Sequence, residues 1–129
     1  MTDPISDMII RITNAQAVSH STVSVPFSNF KYEIAKILEK EGFIEKIEEK
    51  GKKVKRVITI TLKYDNKIPV ISGLKRISKP GQRIYSEAKE MKKVKGGYGM
   101  SIISTPNGLM TNKEAKKKKI GGEIILEIW

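Results

Sequence analysis

One histidine, no cysteine and no spaced acidic cluster leave this 129-residue chain little with which to do covalent chemistry. His20 lies in a polar stretch, AVSHST, and reads as a solvated loop residue rather than a general base. A Ser-His-acid triad would need that histidine beside a serine and a carboxylate, and nothing in the pattern brings them together. Gly96-Gly97-Tyr98-Gly99 is rich in glycine but lacks the Gly-Lys-Ser/Thr ending of a phosphate-binding loop. The adjacent Glu48 and Glu49 alternate with lysines and read as solvated surface. The expectation is a protein that is not an enzyme and uses no cofactor or metal.

Residues 104–123, STPNGLMTNKEAKKKKIGGE, point elsewhere. Lys113, Lys116, Lys117, Lys118 and Lys119 crowd about two turns of a predicted helix. Successive helical residues turn by ~100°, so these lysines cannot all meet one partner. Like charges at i, i+3 and i+4 repel, and an external polyanion would relieve that cost. The flanks carry fit rather than charge. Ser104 and Thr105 supply hydroxyls on a turn, Asn107 an amide, and Glu123 an acceptor. Gly121 and Gly122 would let backbone approach a flat partner closely. Small polar groups of this kind suit the shallow minor groove of folded RNA. Aromatics are scarce, at 6%, which disfavours a single-strand binder built on stacked bases. Tyr85 and Tyr98 are the stacking candidates in this region; Phe30, Phe43 and Trp129 are assigned to packing.

Bulk charge agrees. The chain holds 25 Lys and Arg against 14 Asp and Glu, a net of +11. Residues 1–64 have 11 basic and 8 acidic residues, and residues 65–129 have 14 and 6. The second half therefore carries most of the attraction for nucleic acid or an acidic surface. The acidic start MTDPISDMII is no signal peptide, and no apolar run reaches membrane-span length. A cytoplasmic protein is expected, with no membrane partner.

The elements that must position these residues can be read from periodicity. Asp3-Pro4 starts a helix, with Ile5, Met8, Ile9 and Ile12 on its apolar face and Asp7, Arg11 and Asn14 on its polar face. Thr22–Val25 is a short strand ended by Pro26. Ser28 caps a second helix, with a stripe at Phe30, Ile34, Ile37 and Leu38 and Gly42 as its terminator. Strands follow at Phe43–Glu49 and Val54–Leu62. The fold class is α+β in two small domains, 1–64 (α-β-α-β-β) and 65–129 (mostly antiparallel β with short helices). In the second, a turn is predicted at Pro80-Gly81, a short helix over 87–94, a strand over 98–104 and a turn at Asn107-Gly108. Thr111 and Glu114 form a capping box for a helix over 112–119, which Gly121-Gly122 stop. In the last strand, Ile124, Leu126 and Ile128 face one side.

STPNGLMT…IGGEI closely resembles the C-terminal signature of the bacterial small-subunit ribosomal protein eight family. TDPISDMIIRITNA is similar to that family's N-terminal pattern, and VPFSNFKYEIAKILEKEGFI to its second helix. The resemblance implies a two-domain protein of the small (30S) subunit. Such a protein binds a stem in the central domain of 16S ribosomal RNA and supports assembly of that region. It implies that Ser104 and Thr105 contact an irregular loop of the stem, with Gly121, Gly122, Glu123 and Tyr85 nearby. Lys113, Lys116 and Lys118 supply charge. On the N-terminal domain it implies contacts from Asp3, Pro4, Asp7, Arg11, Asn14 and Lys31. Neighbouring small-subunit proteins are implied partners, and the chain is expected to be a monomer outside the ribosome. Repression by binding its own operon messenger RNA is a further role the resemblance allows. Pro106 departs from the family pattern, which has a third hydroxyl there; the substitution removes a donor and stiffens the turn. Two competing readings are a DNA-binding regulator and an enzyme of RNA metabolism. The first lacks a helix with readable polar side chains, since 28–41 looks like core packing. The second lacks a catalytic set.

Overall fold

The computed structural model describes residues 3–129; Thr2, the first residue of the N-terminal pattern, lies outside them. The chain divides into two compact units, one ending at Ile71 and the other running Ser72–Trp129.

In the first unit, α1 (Pro4–Ala17) starts as its sequence dictates. Asp3 Oδ1 accepts from the amides of Ile5 and Ser6, both at 3.2 Å, and Pro4 occupies the first turn, where it needs no donor. Ile5, Met8, Ile12 and Ala15 are buried. β1 (Thr22–Pro26) leads to α2 (Asn29–Lys40), capped by Ser28 Oγ, which accepts from Lys31 N at 3.1 Å. The buried face of α2 is Lys31, Ile34, Ala35 and Leu38. The expected stripe is therefore wrong at its N-terminal end: Phe30 is exposed and Lys31 is covered. Positions 31, 34, 35 and 38 share one helical face, and a lysine's methylene stem can serve there as an apolar side chain. β2 (Ile44–Lys50) and β3 (Val57–Leu62) complete an antiparallel sheet in the order β1-β3-β2, with Ile58, Ile60 and Leu62 of its central strand buried.

A small hairpin, β4 (Tyr64–Asp65) and β5 (Ile68–Pro69), turns through Asn66 and Lys67, both at positive φ. Val70 N then donates to Lys63 O at 3.0 Å. Residues 64–70 thus fold back on the strand they leave, which carries the division past the expected 64/65 to Ile71.

The second unit is a sheet of β6 (Leu74–Arg76), β10 (Gly122–Ile128), β8 (Met100–Thr105) and β9 (Gly108–Thr111), with β7 (Tyr85–Ser86) also paired to β10. All pairings are antiparallel. α3 (Asn112–Lys118) sets Ala115 against Met91, Ile103 and Met110, with Ile124 beside them.

Several expectations for this unit fail for identifiable reasons. Residues 87–94 form only a 3₁₀ turn at Ala88–Glu90, with extended residues on either side. The buried side chain of Asn112 holds the end of this segment. Its Nδ2 donates to Lys92 O at 3.1 Å and its Oδ1 accepts from Ser101 N at 3.2 Å, tying the segment to β8. The β8–β9 turn is centred on Pro106-Asn107, since Thr105 pairs with Gly108. Proline fits the second position of a common type I turn, which moves the positive φ on to Gly108. α3 is ended by Lys119, itself left-handed at φ 59°, rather than by the glycines. Ile125 forms a bulge in β10: Ile124 pairs with Ile103 and Leu126 with Ile102. Alternation breaks there, and both Ile125 and Leu126 are buried. The bulge carbonyl of Ile125 accepts from Arg76 Nη1 at 2.9 Å.

Freed from ending the helix, Gly121 and Gly122 let β10 enter between β7 and β8. A Cβ on Gly121 would lie 2.7 Å from Ser86 O, and one on Gly122 would overlap Ser104 O. Neither obstacle is a side chain that could swing away. Gly122→Ala should therefore destabilise this unit by roughly 1–3 kcal/mol, as overpacking against fixed backbone does. Denaturant unfolding followed through Trp129, the single tryptophan, reads this. An unchanged midpoint would mean that β10 can shift without loss.

Candidate functional site

The expected C-terminal residues converge because β10 pairs on both sides. Glu123 stands opposite Ser104 of β8 and opposite Tyr85 of β7. Gly122 stands opposite Ser86. Ser104, Glu123 and Tyr85, far apart in sequence, thus form one row across three strands. Thr105 and Asn107 follow at the adjoining hairpin. α3 adds the exposed Lys113, Lys116 and Lys118. An open groove of about 900 Å³ runs between Tyr85, Glu87, Lys116, Lys119 and Gly121.

The individual groups differ in how free they are. Ser104 is half-buried, and its hydroxyl makes no hydrogen bond among the described residues. Thr105 is 9% exposed, and its hydroxyl is committed. It donates to Gly108 O at 2.7 Å and accepts from Asn107 N at 3.1 Å. Thr105 therefore shapes the hairpin that presents Ser104 and Asn107. One oxygen of Glu123 is also committed: Oε2 accepts from Ser78 Oγ at 2.6 Å and from Arg83 Nη1 at 3.1 Å. Ser78 is wholly buried and accepts in turn from Ile84 N at 2.9 Å. The carboxylate thereby pins the chain before β7 against β10. Ser78 and Arg83 carry no signal in the sequence alone. Their spacing from Glu123 carries no local signal, because only strand pairing joins them. Tyr85 is 69% exposed and free to be covered by a partner. The glycines are turned inward, so their close approach is to the chain's own backbone.

The N-terminal group is more divided. Asp7, Arg11 and Asn14 lie exposed at i, i+4 and i+7 of α1. Arg11 Nε donates to Asp7 Oδ2 at 2.9 Å. Asp3 and Pro4 begin the helix, and both have structural duties there. Lys31 is 5% exposed. Burial pushes its pKa below the ordinary lysine value, Asp7 opposes the shift and Arg11 adds to it. His20 is exposed, and its carbonyl accepts from Tyr64 Oη at 2.6 Å. Among the described residues no group of acidic or histidine side chains could hold a metal ion, and no helix is long and apolar enough to cross a membrane.

Two outcomes test these assignments. Thr105→Val should cost about 1–2 kcal/mol through two lost hydrogen bonds and speed amide exchange at Asn107, whereas Thr105→Ser should do neither. Equal exchange in both variants would contradict the role given to the hydroxyl. For Lys31, the folded-state pKa lies below the unfolded one, so the unfolded chain binds more protons between the two. Stability then rises with pH in the window just below the ordinary lysine value of 10.5. Lys31→Met should flatten that rise relative to the parent chain. A slope that stays the same would show that the ammonium escapes to water.

Comparison with known proteins gives a consistent match. The family model described as Ribosomal protein S8 matches residues 3–129. The chain is 54% identical over 130 residues to a protein of Thermoanaerobacter sp. (strain X514), covering 100% of this chain and 98% of the relative. It is 48% identical over 129 residues to one of Mycoplasma mobile, covering 100% and 97%. It is 49% identical over 130 residues to one of Synechocystis sp. (strain ATCC 27184 / PCC 6803 / Kazusa), covering 99% and 98%. All three relatives bear the name small ribosomal subunit protein uS8.

Proposed function

Because the chain belongs to the ribosomal protein S8 family, we propose that it is a structural constituent of the small ribosomal subunit that acts by binding RNA, with no catalytic step. Its target is a stem in the central domain of 16S ribosomal RNA. The β8–β9 hairpin and the start of β10 meet the stem, and the α3 lysines hold its phosphates. Binding fixes one conformation of the stem, and neighbouring subunit proteins then dock on an ordered surface. The same surface would accept a copy of that stem in the chain's own messenger RNA, which is the basis for extending the proposal to translational repression.

One observation carries this reading: β10 brings Ser104, Glu123 and Tyr85 into a single row beside a lysine-rich helix. The row contains a hydroxyl with no internal partner, next to a carboxylate and a hairpin that are fixed from behind. Such a preorganised surface loses little freedom on binding, and its polar groups distinguish one RNA shape from another. The lysines add a term that depends on salt and not on sequence.

The two contributions separate experimentally. Ser104→Ala should weaken binding to the central-domain stem by about 1–2 kcal/mol and leave the dependence on salt unchanged. Lys116→Gln with Lys118→Gln should instead make the salt dependence shallower, by about 1.5 in the log–log slope. Filter binding or fluorescence anisotropy across a salt series measures both. Parent-level affinity in the Ser104 variant would remove that hydroxyl from the site, and failure of the parent chain to prefer the stem over an unrelated hairpin would overturn the function.

A further inference from the structure

The tip joining β2 to β3 reads KGKKVKR, five cations in the seven residues 50–56. Residues 1–71 hold 12 Lys and Arg against 9 Asp and Glu; without this tip they hold 7 against 9. The whole positive excess of that part of the chain is therefore gathered on one turn. We propose that the β2–β3 tip is a second RNA contact, one that grips phosphate backbone without reading sequence. The proposal rests on the RNA-binding function inferred above and adds a site on the other structural unit.

The four lysines are not neutralised from within. Lys50, Lys52, Lys53 and Lys55 are exposed, and none has an ion-pair partner among the described residues. Arg56 differs: it pairs with Glu49, and its guanidinium lies 3.8 Å from the centroid of the Phe27 ring. It anchors the turn rather than joining the array.

The backbone that carries the array is held in place. Gly51 is at φ 88°, and a Cβ there would overlap Lys55 O. Lys53 is held in the left-handed region at φ 53°. Lys55 N donates to Lys52 O at 3.1 Å, and Phe27 N donates to Arg56 O at 3.1 Å. Four ammonium groups on so short a turn lie within about one Debye length of each other and repel. A row of phosphates lowers that repulsion and releases its own counterions.

The composition favours phosphate over an acidic protein. The seven residues include no Ser, Thr, Asn, Gln or aromatic side chain, and the one arginine is held by Glu49 and the Phe27 ring, so what the tip offers a partner is chiefly lysine point charge. Lysine is also depleted in protein–protein interfaces. Val54, 98% exposed, is the one apolar group at the tip, and a backbone groove can cover it.

The test uses the full chain and a transcript of its own small-subunit ribosomal RNA. One variant changes Lys50, Lys52, Lys53 and Lys55 to Gln, which keeps side-chain length and leaves Arg56 in place. A second changes only Lys52 and Lys55. At ~0.7–0.9 per lost lysine contact, the salt slope should fall by about 3 in the first and about half as much in the second, with affinity down roughly tenfold or more for the first. Slopes equal to the parent's in both variants overturn the tip contact, including the case where a variant has lost only an acidic protein partner. A parent chain that shows no preference for its ribosomal RNA overturns the function itself. The two failures are thus distinguishable.

Discussion

β10 can lie between β7 and β8 only because residue 122 has no side chain. The Ser104 carbonyl occupies the space that a Cβ would need, and Ser86 crowds residue 121 in the same way. The arrangement of the candidate site follows from this close passage. It sets the register that places Glu123 opposite Ser104 and Tyr85. It brings the Glu123 carboxylate within reach of Ser78 and Arg83, which lock the preceding chain. α3 ends before Gly121 and Gly122, on a left-handed Lys119, which leaves both glycines outside the helix. Glycine here serves the chain's own packing, and any benefit to a partner comes indirectly, through the flat surface that results.

The site consequently separates support from contact. Thr105 and Glu123 have the chemistry of ligands for RNA, but the Thr105 hydroxyl and one Glu123 oxygen are engaged inside the fold. They hold a hairpin and a strand in position. In the proposed site, the side chains of Ser104, Asn107, Tyr85 and the α3 lysines, and the second Glu123 oxygen, have no internal partner to give up among the described residues. A rigid support behind a few free polar groups is what recognition by shape requires, since a loose hairpin would forfeit part of the binding free energy on ordering.

The legible parts of the sequence were those with local causes. Asp3-Pro4, Ser28 and Thr111 announced their helices through cap chemistry acting over three residues, and all three caps form. The α+β class followed from hydrophobic spacing. That 104–105 and 121–123 flank one basic segment was legible from residue chemistry, and the family resemblance implied the same grouping. What stayed hidden depends on distant partners. Asn112 ties the end of the 87–94 segment to β8 by taking the Lys92 carbonyl twenty positions away. Lys31 enters the core because helical geometry values its stem above its charge. The Ile125 bulge, closed by Arg76, has no signature in the alternating pattern of the last strand. Ser78 and Arg83 reach Glu123 across a sheet whose register periodicity does not specify.

The central claim is that the β8–β9 hairpin and the start of β10 are the surface that meets folded RNA. Titration of the isotopically labelled chain with the central-domain stem, followed by amide chemical shifts, tests it most directly. The account predicts that the earliest and largest changes fall on residues 104–108 and 121–123, with the α3 lysines following as salt is lowered. Saturable binding that leaves those amides unmoved and shifts another surface would contradict it.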